Sequence, residues 1–210
     1  MAEHEAHHDH AHHPEDPRAH ASRRAVLQAA IGVGVGTTVL STLFIGVGLV
    51  PKKEITPEKE PIAAGDLLVF GQGDKKGQPI TVADLQVNAL QITAYPMDPK
   101  TRVVKDKEAN NTVLVLRLDP ATLSPGTAQN AADGIVAYSG VCKHLGCIVS
   151  QWESANGQLV CPCHQGKYDA RDGGKVTAGP PPGPIPQLPI KIEGDQVVVA
   201  AGFVAEPGKA

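Results

Sequence analysis

Cys142-Lys-His144-Leu-Gly-Cys147 and Cys161-Pro-Cys163-His164 contain every cysteine of this 210-residue chain and the only two histidines beyond His20. Two thiolates and two imidazoles suffice to hold one tetrahedral zinc, or a [2Fe–2S] cluster with cysteine on one iron and histidine on the other. The cysteine count bears on the choice. Zinc on Cys142, His144, Cys161 and His164 would be saturated, and Cys147 and Cys163 would be left over. Two other readings fail on spacing. Covalent haem attachment needs CxxCH, and Cys161-Pro-Cys163-His164 is one residue short; the CxxC of a thioredoxin-like site occurs nowhere.

The pair CxHxGC and CxCH resembles the Rieske iron–sulfur proteins of cytochrome bc and bf complexes. Carried over residue by residue, the resemblance implies a Rieske-type [2Fe–2S] cluster with Cys142 and Cys161 on the inner iron and His144 and His164 on the outer one. It also implies a Cys147–Cys163 disulfide across the two ligand loops. His164 would offer its outer imidazole nitrogen to a quinol, with Leu145 lining that contact, and Tyr168 would donate a hydrogen bond to a cysteine ligand. High-potential members carry a serine two residues after the second histidine, where this chain has Gly166. One fewer donor to cluster sulfur implies a lower potential, matched to a lower-potential quinol such as menaquinol.

The ligand types suit such a task. Replacing two thiolates by neutral imidazoles removes negative charge from one iron and raises the potential above that of an all-cysteine cluster. Reduction then adds negative charge beside each ring and favours its protonated form, so electron uptake is coupled to proton uptake. A quinol gives up both. The expected function is therefore the electron-transfer subunit of a quinol–cytochrome c oxidoreductase, not catalytic alone. It would work with a cytochrome b subunit, a c-type cytochrome and a quinol. A Rieske ferredoxin feeding an oxygenase would lack Cys147, Cys163 and an anchor, and a zinc-stabilised structural module would be colourless. A net charge of −3 with no basic cluster on the folded part argues against nucleic acid.

Outward from the motif, the chain reads as one anchored domain. Residues 1–21 hold seven of the nine histidines with little apolar bulk and are expected to be a disordered tail. Arg23-Arg24 before a hydrophobic run resembles a twin-arginine export signal, although Val26 stands where phenylalanine is commonest. Residues 25–50 carry no charge, and as a helix they would be about 39 Å long, enough to span. Segment 22–50 is thus expected to be signal and single transmembrane anchor in the cytoplasmic membrane, with the domain on the periplasmic or outer face. Cleavage near Gly46-Val-Gly48 is the alternative, and the Gly32 to Gly36 spacing fits a helix–helix contact. Residues 51–62 (PKKEITPEKEPI) read as an extended hinge linker.

Residues 63–210 are expected to be an all-β Rieske domain, an antiparallel base with a cluster-binding subdomain at its tip over about 138–184. Strands are predicted at 66–70, 89–94, 112–118, 134–139, 148–152, 158–160, 189–193 and 196–200. Gly194-Asp195 marks a hairpin between the last two, and 119–133 reads as a loop. Gly179-Pro-Pro-Pro-Gly-Pro184 is a stiff loop poor in hydrogen bonds, and by the resemblance it covers the cluster from a third side. Trp152 is expected to be core packing.

Overall fold

The computed structural model describes residues 25–38 and 56–208. Two units separate between Glu54 and Ile55. In the first, residues 25–38 form a helix, α1. Among the described residues no helix is long and apolar enough to cross a membrane. The remainder of the expected span, the histidine-rich tail and Arg23-Arg24 lie outside them.

In the second unit, short apolar runs bounded by glycine, proline and asparagine pair with one another. The order is β1 (Leu67–Phe70), β2 (Ile92–Met97), β3 (Val113–Arg117), α2 (Pro125–Ala128), β4 (Ile135–Ser139), β5 (Gln151–Glu153) and β6 (Gln158–Cys161). Then come β7 (Gly166–Asp169), β8 (Lys175–Ala178), β9 (Gln187–Leu188), β10 (Ile190–Glu193) and β11 (Gln196–Val199). A seven-stranded sheet runs β10-β11-β1-β2-β3-β4-β9, and a four-stranded sheet runs β5-β6-β7-β8. All pairs of these strands are antiparallel. The all-β base is as the sequence predicts and Gly194-Asp195 closes the β10–β11 hairpin, whereas β7, β8 and β9 answer to no predicted strand and β5 starts three residues later than 148.

Period-two packing explains how the small sheet is seated. β3 reads Val-Leu-Val-Leu, and successive side chains point to opposite faces. Val113 and Val115 enter one core with Leu68, Ala94 and Val197, whereas Leu114 and Leu116 enter a second. β4 does the same, with Ile135 and Ala137 on one side and Val136 and Tyr138 on the other. The second core contains Leu159, Tyr168, Cys142 and Cys161, and Trp152 packs against it. Tyr138 Oη donates to the Ala170 carbonyl at 2.8 Å, tying the two sheets at a point sealed from water. Burial pushes the Tyr138 phenol above its ordinary value, so it stays a donor.

Three further features differ from the sequence reading. The strand predicted at 89–94 lies at Ile92–Met97, because Pro96 is accommodated opposite Leu68 while its carbonyl accepts from Lys105 N–H at 2.8 Å. The segment 119–133 is not bare loop: Asp119 and Ser124 cap a short 3-10 turn at Pro120–Thr122 and α2, each followed by proline. Third, the described part of the expected linker is fixed to the base. Lys107 N–H donates to the Glu58 carbonyl at 3.0 Å. Asn111 Nδ2 donates to the Glu60 carbonyl at 2.7 Å, and Asn111 Oδ1 accepts from Ile62 N–H at 3.2 Å. Lys105 Nζ reaches the Pro61 carbonyl at 3.3 Å while paired with Asp66 Oδ2 at 2.8 Å; the pair's side chains are each only 4% exposed.

Candidate functional site

The first ligand loop leaves β4 at Ser139, whose Oγ accepts from Val141 N–H at 3.1 Å. Cys142 N–H then donates to the Cys147 carbonyl at 2.8 Å, and Gly146 N–H to the Cys142 carbonyl at 3.0 Å. This tight loop turns Cys142 inward, where it is 2% exposed, and leaves Leu145 at 64%. The second loop is the β6–β7 turn. Cys161 pairs with Gly166, so Pro162, Cys163, His164 and Gln165 form an exposed tip above a buried Cys161. Gln165 takes a left-handed φ of 56° and Gln165 Nε2 donates to the Pro162 carbonyl at 3.3 Å, which braces the turn.

Cys147 and Cys163 form the disulfide, with Cα atoms 6.7 Å apart, and Cys142 and Cys161 remain free thiols. The His144 and His164 rings meet edge to face with centroids 4.7 Å apart. Cys147, Cys161 and Cys163 sulfurs lie within 4.8 Å of one another. Two of the three are spent in the bridge, so Cys161 stands beside the disulfide rather than in a three-thiolate site.

Tyr168 is fully buried, with Oη 3.1 Å from Cys142 Sγ. Lys143 N–H donates to the same Oη at 3.2 Å, which leaves the phenolic hydrogen to point at sulfur. Burial, reinforced by the Cys142 thiol, pushes the Tyr168 phenol above its ordinary value. A hydrogen bond to a charged group is worth about 1.5–3 kcal/mol, or roughly 60–130 mV for a one-electron couple. Tyr168→Phe is therefore expected to lower the reduction potential by that amount in a redox titration. An unchanged potential would remove Tyr168 from the account.

The proline loop closes over the second ligand loop by close approach. A β-carbon on Gly179 would fall 2.7 Å from the Gln165 carbonyl oxygen and from Gly166 Cα, and Gly179 has a φ of +85°. At Gly166 a β-carbon would lie 2.7 Å from Pro181 Cγ and 3.9 Å from Cys142 Sγ. A serine at 166 would thus head toward the Cys142 sulfur only by displacing a stiff ring. Gly166→Ser is expected to raise the potential when Pro181→Ala accompanies it, and alone to destabilise the site; equal potentials in the double variant and parent would refute this.

The residues present fit a two-iron cluster. Two free thiols are buried, and His144 Nδ1 is enclosed with no hydrogen-bond partner, as a nitrogen intended for a metal would be. Burial also pushes the Cys161 thiol up, an effect a bound iron reverses by drawing off the proton. A single zinc would need all four donors around one point. Among the described residues the only group of three or more such donors within reach of one point is the cysteine trio above, two of which are spent in the bridge.

Two buried thiols and two imidazoles on bridged loops, at the tip of an all-β domain, define an iron–sulfur protein. Residues 92–189 match the Rieske [2Fe–2S] domain model. A protein of Haloferax mediterranei named as a respiratory nitrate reductase Rieske subunit is 34% identical over 194 residues, covering 89% of this chain and 80% of that one. The cytochrome bc1 complex Rieske iron–sulfur subunit of Streptomyces lividans is 31% identical, covering 62% of this chain and 78% of its own length. A plasma-membrane Rieske protein of Synechocystis superposes with 30% identity and a TM-score of 0.37, covering 58% of this chain and 95% of that one. The chain belongs to the bc-type Rieske family, and its cofactor is a Rieske [2Fe–2S] cluster.

Neither the pressure of Pro181 on Gly166 nor the Lys143 backbone contact with Tyr168 has a sequence signal. Both depend on segments brought together only by the fold.

The bridge gives one further expectation. Its ends are 16 residues apart, and closing a loop of that size restricts the unfolded chain by about 3 kcal/mol. Cys147→Ser should lower the thermal midpoint and let the ligand loops part, so that cluster is lost faster on standing. Equal cluster content and lifetime in variant and parent would show that the bridge is dispensable.

Proposed function

We propose that the protein is the electron-transfer subunit of a membrane quinol-oxidising complex, with Cys142, Cys161, His144 and His164 holding the cluster. When bound, the cluster supplies a one-electron acceptor of raised potential. The observation that carries the reading is the tip: His164 and Leu145 are both exposed, the His164 ring meets that of His144 at 4.7 Å, and Cys142 and Cys161 are buried. Leu145 offers an apolar contact for a quinol ring, and the outer nitrogen of His164 accepts the quinol hydroxyl proton. The electron then passes to a c-type cytochrome beside a cytochrome b subunit. Gly166 favours a low-potential quinol, and menaquinol is the choice.

The charge-free run 25–50 serves as a single-pass anchor in the cytoplasmic membrane. Arg23-Arg24 routes the domain to the periplasmic or outer face, where a disulfide persists. A second reading concerns the electron's destination. The Haloferax relative, 34% identical along an alignment covering 89% of this chain, is named for a nitrate reductase, which makes delivery toward such an enzyme the second reading.

Isolation of the native complex in mild detergent, with its partners identified and menaquinol-driven reduction measured, tests both. Cytochromes b and c with quinol-dependent cytochrome reduction support the first reading. A co-purifying nitrate reductase supports the second. A cluster-loaded protein alone in the soluble fraction, inert to quinol, would overturn both.

A further inference from the structure

The segment after β11 does not stop at the base sheet. Phe203 packs against the base core, and Val204 N–H donates to the Gln187 carbonyl at 3.0 Å. The chain then runs to the first ligand loop. There the Glu206 carbonyl accepts from Lys143 Nζ at 3.2 Å, and Gly208 is buried. A β-carbon on Gly208 would lie 3.7 Å from Val141 Cγ1 and 3.1 Å from Asn110 Oδ1, so its backbone packs on both. Val141 is 3% exposed, and the same Cγ1 would meet a β-carbon on Gly146 at 4.0 Å. Val141 therefore stands between the tail and the bend of the ligand loop, while Lys143 grips the tail from the far side of Cys142.

We infer that residues 203–208 are a strap that positions the first ligand loop, with Val141 and Lys143 as its points of purchase. The inference rests on the reading of Cys142 and His144 as cluster ligands. It follows from how little else holds His144. Its Nδ1 makes no hydrogen bond and its ring rests edge to face on the exposed His164, so the ring is aimed largely by the placement of its backbone. That backbone is set by two short hydrogen bonds within the loop, the Val141 N–H bond to Ser139, the Lys143 N–H bond to Tyr168, the bridge, and the strap. With the strap removed, residues 141–146 keep their local turn but lose the packing that fixes it on the base. The thiol and the imidazole then sample a wider range of positions, and a ligand set held loosely releases its metal sooner.

The test compares the full chain with one ending at Ala205, which keeps Phe203 and the Val204 hydrogen bond and removes the tail's contacts to the ligand loop and to Asn110. The shortened chain is expected to lose its cluster to an iron chelator roughly two- to tenfold faster, the factor set by a hydrogen bond of ordinary net strength. Its EPR spectrum should be broadened, while the unfolding midpoint of the base stays within error. Lys143→Met should move lifetime and spectrum the same way, and Lys143→Arg should restore them. Gly208→Val, which keeps the chain length and forces the tail off Val141, should match the truncation and decides the matter if the shortened chain does not fold. Parental loss rates and spectra in these variants would overturn the strap and leave the ligand assignment standing. A full chain that binds no [2Fe–2S] cluster would instead overturn the ligand assignment itself.

Discussion

Cys161→Ala is expected to yield a folded protein whose visible absorption and bound iron fall at least about tenfold, since even an outer-shell partner is commonly worth 10–100-fold in metal affinity. Cys161 ends β6 at 1% exposure, and its sulfur faces the interior where Cys142 also lies. The nearest alternative sulfurs are those of Cys147 and Cys163, within 4.8 Å, and both are committed to the bridge. Rescue would require the disulfide to open. A cluster retained in Cys161→Ala but lost in Cys161→Ala/Cys163→Ser would reveal such an exchange and replace the ligand assignment. Wild-type iron content in both variants would contradict it.

Lys105→Met is expected to cost about 3–5 kcal/mol, the usual consequence of leaving one member of a buried ion pair uncompensated. Lys105 Nζ lies 3.0 Å and 2.8 Å from the two Asp66 oxygens. The same carboxylate accepts from Ala63 N–H at 2.9 Å. Without the ammonium, a carboxylate at 4% exposure has one backbone donor and no counter-charge. For a domain of this size the loss corresponds to a drop in Tm of roughly 6–20 °C. Asp66→Asn added to Lys105→Met should recover part of it by removing the stranded charge. Hydrogen exchange should also rise at Glu60 and Ile62, which Lys105 and Asn111 hold. A Tm change of only about a degree would mean that the pair is solvated in solution and fixes nothing.

Readability from sequence tracked the strength of local patterns. β3 and β4 were legible because burial on both faces leaves an unbroken apolar run, Val113 to Leu116 and Ile135 to Tyr138. β7 and β8 were not. β7 is Gly-Lys-Tyr-Asp with only its alternate positions buried, and β8 is Lys-Val-Thr-Ala, mostly exposed, so neither carries an apolar signal. β9 is two residues long and gives no periodicity at all. The paired CxHxGC and CxCH motif was legible as the mark of the family because metal chemistry restricts residue type and spacing together. The supports around it were not. Lys105 pairs with Asp66 across 39 residues, and nothing distinguishes those two charges from the many others until the strands assemble. The room denied to a side chain at Gly166 by Pro181 is likewise a property of packing alone.

Pulsed EPR of the reduced, purified protein tests the central claim most directly. If Cys142 and Cys161 hold one iron and His144 and His164 the other, a one-electron-reduced two-iron signal will appear with nuclear coupling from two imidazole nitrogens. His164→Ala should leave no more than one such coupling. A two-iron signal with no nitrogen coupling, or purified protein holding zinc and no iron, would contradict the account.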